Sequence, residues 1–156
     1  MSKSKPKSMS KPNIETILLP VDGSDVSFKA AEYAIEIAKM VNARIIVIHA
    51  IGIPMYITAY GGALLLPSYY EDAKKSAEEW MGRIAERAKQ ENVDLKKEVI
   101  VDVVSLVDAI ISYAKKQDVD LIVIGTTGKT ALKKFLLGSV AHGVVMHAHC
   151  PVLVVR

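Results

Sequence analysis

The sequence predicts an α/β three-layer sandwich built on a five-stranded parallel sheet in the order 3-2-1-4-5. Three observations carry that reading. From Asn13 onward, short apolar runs alternate strictly with amphipathic helical segments, as successive right-handed β-α-β crossovers require. Runs such as ARIIVIHA at Ala43–Ala50 are continuously apolar, which suits strands covered on both faces. The chain has 156 residues, 51% hydrophobic and 24% charged, enough for one domain with a shared core.

The elements follow in order. Ile17–Val21 (ILLPV) reads as the first strand, with Pro20 near its end, where a missing amide donor is tolerated. Asp22-Gly23-Ser24-Asp25 reads as a turn into a helix, with Ser24 or Asp25 able to cap it. That helix runs to about Val41, with Ala31, Ala34, Ile35, Ala38 and Val41 facing inward. The second strand is Ala43–Ala50. Ile51–Tyr70 reads as a long loop rich in Pro, Gly and Tyr, of the kind that serves as a lid or partner surface. Glu71–Asn92 is an amphipathic helix carrying Trp80 and Ile84, and Glu98–Val104 the third strand. A helix over Leu106–Gln117, the fourth strand Leu121–Ile124, a helix over Gly138–Ala148 and the last strand Pro151–Val155 complete the pattern. In this strand order a crevice opens between strands 1 and 4, outside their carboxyl ends. Asp22 lies just past strand 1 and Gly125 just past strand 4, so both fall at that crevice.

Charge argues against nucleic acid. The net charge is +3, but Lys3, Lys5, Lys7 and Lys11 contribute four positive charges within residues 1–13, which contain no acid. The rest is slightly acidic, with no interleaving of basic and aromatic residues. Residues 1–13, rich in Ser, Lys and Pro, are expected to be a disordered basic tail on a domain over 14–156. No run reaches the roughly 18 apolar residues of a membrane span. Without an apolar leader, and with the single Cys150, a cytoplasmic location is expected. Cys150 reads as packing rather than as a nucleophile.

The informative segment is Gly125-Thr126-Thr127-Gly128-Lys129-Thr130, followed by Gly138-Ser139-Val140. Glycines let a backbone come close to a phosphate, and a helix beginning at Gly138-Ser139 would offer it free amides and a favourable dipole. Two residues separate Gly125 from Gly128 where a Walker A loop needs four, and no GxGxxG occurs. His142 and His149 are seven residues apart, two helical turns, and His147 and His149 point to different faces, so these histidines and His49 read as structural.

Gly125-x2-Gly128-x9-Gly138-Ser139 resembles the G-x2-G-x9-G-[S/T] signature of ATP-binding universal stress proteins. ILLPVDGSD, VIHA and CPVLVV are similar to the same family, so the likeness runs from about residue 14 to 156. The resemblance implies an adenine nucleotide alpha hydrolase-like sandwich that binds ATP, with Mg or Mn held by the phosphates. It implies that Asp22 bonds the ribose and that the Ala50 backbone contacts adenine. Gly125 would lie by the ribose, while Gly128, Gly138, Ser139 and Val140 would hold phosphates. Lys129 either reaches a phosphate or is solvated, and Pro20, beside Asp22, joins the candidate set. Where the family often has a Gly-x-Pro turn after strand 3, this chain has Val104-Ser105-Leu106. The resemblance also implies a homodimer through strand 5, whose apolar edge invites pairing.

No residue reads as a water-activating base, so the sequence favours binding over turnover. The expected role is a nucleotide-dependent regulatory module of the stress response. A slow ATPase or nucleotide transferase, and a nucleotide-free dimerising adaptor, are the alternatives.

Overall fold

The computed structural model describes residues 12–54, 59–127 and 137–156. Most of the expected tail, and the candidate residues Gly128 and Lys129, lie outside the described residues. Five strands, β1 (Thr16–Pro20), β2 (Arg44–Gly52), β3 (Leu95–Val103), β4 (Leu121–Gly125) and β5 (Val152–Val155), form one sheet in the order β3-β2-β1-β4-β5. Every neighbouring pair is parallel. Among the described residues four helices cross between them: α1 (Asp25–Val41), α2 (Leu66–Gln90), α3 (Leu106–Lys116) and α4 (Ser139–His147).

The strand period of two sorts the core into two layers. Ile17, Leu19, Ile45, Val47 and Val123 pack on one face against α1 and α2, through Ala34, Ile35, Met81 and Ile84. Leu18, Ile46, Ile48, Ile122 and Ile124 pack on the other against α3 and α4, through Ile110, Ile111, Ala114 and Val144. The central strands are buried on both faces, each such side chain contributing about 1.5–3 kcal/mol. That is why their sequences read as unbroken apolar runs.

Three expectations change. Residues 51–70 are not one long loop: Ile51 and Gly52 extend β2, and α2 begins at Leu66 after a 3-10 turn at Ala63–Leu65. Beyond a bulge between Ala50 and Gly52, Gly52 pairs with Val103, and the Ile53 amide bonds the Val103 carbonyl at 3.1 Å. Pro67, which reads as a loop residue, stands in the first turn of α2, where its missing N–H costs no helix bond. β3 starts at Leu95 rather than Glu98. Lys96 and Lys97 hide its beginning in the sequence, yet this is an edge strand, where charge is at home. Lys96 pairs with Glu98 along the strand, and Lys97 with Glu78 of α2. α4 ends at His147, so His142 and His149 do not share a helix.

Candidate functional site

Pro20 helps to open the crevice. The Val21 amide points to β2, where it donates to the Ile48 carbonyl at 2.9 Å, so alternation aims position 20 at β4. Proline has no amide to give there. Pairing between β1 and β4 stops at Leu18↔Ile122, while β1–β2 pairing continues to Pro20↔Ile48. The two central strands separate at their carboxyl ends, and a cavity of about 590 Å3 occupies the gap.

Its walls come from both halves of the chain. Pro20 and Asp22 contribute from the end of β1, and Ala50 from the end of β2. Gly125 lies at the end of β4, while Gly138, Ser139 and Val140 form the start of α4. All seven described candidates therefore line one cavity. Thr126 and Thr127 of the glycine loop and Leu106 of the altered turn join them, as do His49 and Trp80, which sequence reasoning did not assign to the site. Thr126 and Thr127 stand out in the sequence by their place between the two loop glycines. Trp80 gave no such signal, because it reaches the site from α2 across the fold.

Asp22 organises its own corner. Its Oδ1 accepts from the Ser24 amide at 3.0 Å and from the Ser24 hydroxyl at 2.6 Å. The Ser24 oxygen accepts in turn from the Ser27 amide at 3.2 Å, so Ser24 is the cap of α1. Asp22 is thus part of the turn as well as of the cavity wall.

The glycines have packing reasons. A Cβ on Gly125 would sit 2.9 Å from Val26 Cγ1 and 3.3 Å from the Val26 carbonyl carbon, where α1 crosses the end of β4. A Cβ on Gly138 would sit 2.9 Å from the Thr126 carbonyl oxygen, to which the Gly138 amide donates at 2.6 Å. Thr126 itself donates to the Val155 carbonyl at 2.7 Å. These contacts seat the N-terminus of α4 over the end of β4 and present its first turn to the cavity. The first amides of a helix have no partners within it, so they and the Ser139, Thr126 and Thr127 hydroxyls offer donors to an anion.

Ile48, Ile110, Ile124 and Leu106 contribute apolar side chains to the lining. Leu106 is where the expected departure from the family turn falls. Ser105 caps α3 there by accepting from the Asp108 amide at 3.2 Å, and the following leucine faces the cavity. The lining therefore combines apolar surface suited to a flat ring with donors suited to a phosphate. No group of side chains among the described residues could hold a metal ion by itself.

Known proteins share this architecture. A sequence model of the universal stress protein family matches residues 13–156. Universal stress protein MJ0531 of Methanocaldococcus jannaschii is 39% identical over 142 residues, 90% of this chain and 81% of the relative. Universal stress protein UspA from Lactobacillus plantarum superposes with a TM-score of 0.78 at 28% identity, over 94% of this chain and 100% of that one. A universal stress protein in complex with cAMP superposes with a TM-score of 0.63 at 27% identity, over 91% and 96% of the two chains.

Proposed function

The chain belongs to the universal stress protein family, and on that premise we propose that it is an ATP-binding member acting as a nucleotide-dependent regulatory module of the stress response. One observation carries the reading: the first turn of α4, Asp22 and Ala50 line a single cavity at the point where the strand order reverses. The Ala50 backbone meets the adenine, Asp22 the ribose, and Gly125, Gly138, Ser139 and Val140 the sugar-phosphate end. Pro20 shapes the mouth, and Gly128 and Lys129 complete the phosphate loop. Mg or Mn arrives with the phosphates, since oxygen-rich triphosphate is itself a good ligand for such ions. The cAMP-bound relative supports an adenine nucleotide in this fold. No helix among the described residues is long and apolar enough to cross a membrane, which accords with the cytoplasmic location we propose.

The division of labour is testable by calorimetry. Asp22→Ala weakens ATP and adenosine alike, and it also lowers the melting temperature because Ser24 loses its acceptor. Ser139→Ala weakens ATP and spares adenosine. A hydrogen bond to a charged group is worth roughly 1.5–3 kcal/mol, so each loss exceeds about tenfold. ATP at a hundredfold excess over Kd stabilises the wild type by about 2.7 kcal/mol. A wild-type protein that gains no stability from ATP with magnesium refutes the reading.

A further inference from the structure

Beyond Pro20↔Ile48 the β1–β2 ladder makes one more bond, from the Val21 amide to the Ile48 carbonyl. In a parallel pair the next bond would run from the Ala50 amide to the Val21 carbonyl. That carbonyl lies instead 2.7 Å from His49 Nδ1. A carbonyl only accepts, so Nδ1 carries the proton of that contact. No backbone bond joins Ala50 to Val21 among the described residues. The N–H and C=O of an extended residue project to the same side. Ile48, two residues earlier, faces β1, so both groups of Ala50 are aimed past the end of β1 at the cavity that Ala50 lines.

The imidazole is held in place. Trp80 meets it edge to face, with ring centroids 5.4 Å apart and an interplanar angle of 87°. The same indole lies on Gly23, where a Cβ would stand 2.3 Å from Trp80 Cε2.

We propose that His49 is a positioning residue for base recognition. By occupying the Val21 carbonyl it ends the ladder and leaves the paired N–H and C=O of Ala50 for the Watson–Crick edge of a 6-aminopurine. Adenine presents an amino donor beside a ring-nitrogen acceptor and so matches that pair, whereas guanine presents an oxygen acceptor beside an N–H donor and opposes it. The proposal rests on the nucleotide reading above and adds the origin of its base selectivity.

Calorimetry with ATP and GTP on the wild type, His49→Leu and His49→Asn tests it, together with hydrogen exchange at the Ala50 amide. The wild type prefers ATP by at least about tenfold, the worth of a lost hydrogen bond and a mismatched one. In His49→Leu the Val21 carbonyl recaptures Ala50, and the ATP-to-GTP ratio falls by about tenfold. His49→Asn, whose amide nitrogen stands where Nδ1 stood, restores the ratio. In the wild type the Ala50 amide exchanges quickly without nucleotide and slowly with ATP. An unchanged ratio in His49→Leu, or an Ala50 amide already protected without nucleotide, overturns the proposal while leaving ATP binding in place. A wild type that binds no ATP overturns the nucleotide reading and this proposal with it. Should His49→Leu fail to fold, exchange in the wild type decides the matter.

Discussion

Gly23 carries two constraints at once. Its φ is +76°, a conformation that side chains rarely adopt, and the Trp80 indole occupies the place a Cβ would take. Gly23→Ala is therefore expected to lower stability by about 1–3 kcal/mol in urea unfolding, combining backbone strain with a clash. Adding Trp80→Leu should recover only part of the loss, because the φ cost remains. Full recovery would mean that backbone strain contributes nothing at this turn. The sequence announces this turn through Asp22-Gly23-Ser24, and it announces the loop glycines through their spacing. It does not announce Trp80 or His49 as neighbours of the site. A histidine on an apolar strand looks the same whether or not a carbonyl from the next strand lies beside it, and only the strand pairing brings that carbonyl within reach.

At the scale of elements, three helices end alike. Asn42, Asn92 and Asp118 follow α1, α2 and α3 with φ of 58°, 59° and 49°. In each case the next residue donates its amide back to a buried alanine carbonyl: Ala43 to Ala38, Val93 to Ala88 and Val119 to Ala114, at 3.0, 2.9 and 3.0 Å. The repeated Ala-Lys-x-x-[Asn/Asp]-[Ala/Val] pattern is a Schellman ending with its hydrophobic contact, and it returns the chain to the sheet. Asp118→Ala should cost about 1 kcal/mol and Asp118→Gly should cost nothing, since glycine tolerates positive φ. Equal losses in the two variants would contradict that account. A second device ties the far ends of α1 and α2 together. Glu91 accepts from Lys39 and Arg87, and Arg87 also reaches Glu32. The Arg87 hydrogen bond, then that of Lys39, holds the Glu91 carboxyl at about 2, against an ordinary 4.5. Its folded-state pKa is depressed, so its contribution is present above pH 4.5 and disappears as the pH falls through about 2. Melting of the wild type and Glu91→Gln should differ at neutral pH and converge in that acid window, with a smaller gap in high salt. A gap that persisted at pH 2 would contradict the assignment. Element boundaries were less legible than element identities, for two local reasons. Pro67 looks like a breaker although it sits where a helix tolerates it, and the lysines of β3 look like solvent although they flank an edge.

The whole molecule was legible in outline, because strict alternation of buried strands and covering helices leaves few ways to arrange five strands. Assembly depends on the sheet's two edges. At β5 the Ile122 amide donates to the Pro151 carbonyl and the Thr126 amide to the Val155 carbonyl, so odd positions serve β4. Val152 and Val154 therefore turn their backbone groups outward, and a homodimer paired through β5 would use them. Val154→Pro removes an outward amide without deleting a donor to β4, and light scattering at micromolar concentration should then show a monomer where the wild type is a dimer. A monomeric wild type would exclude the dimer, and a dimeric Val154→Pro would move the interface elsewhere. The opposite edge behaves differently, since β3 carries Lys96, Lys97 and Glu98, engaged in ion pairs with one another and with Glu78. A filament needs every unit to accept a neighbour at both ends, as a chain needs two-handed links. This sheet has charge guarding its other edge, so a pair formed at β5 is poorly placed to recruit a third copy, and concentration alone should not lengthen it.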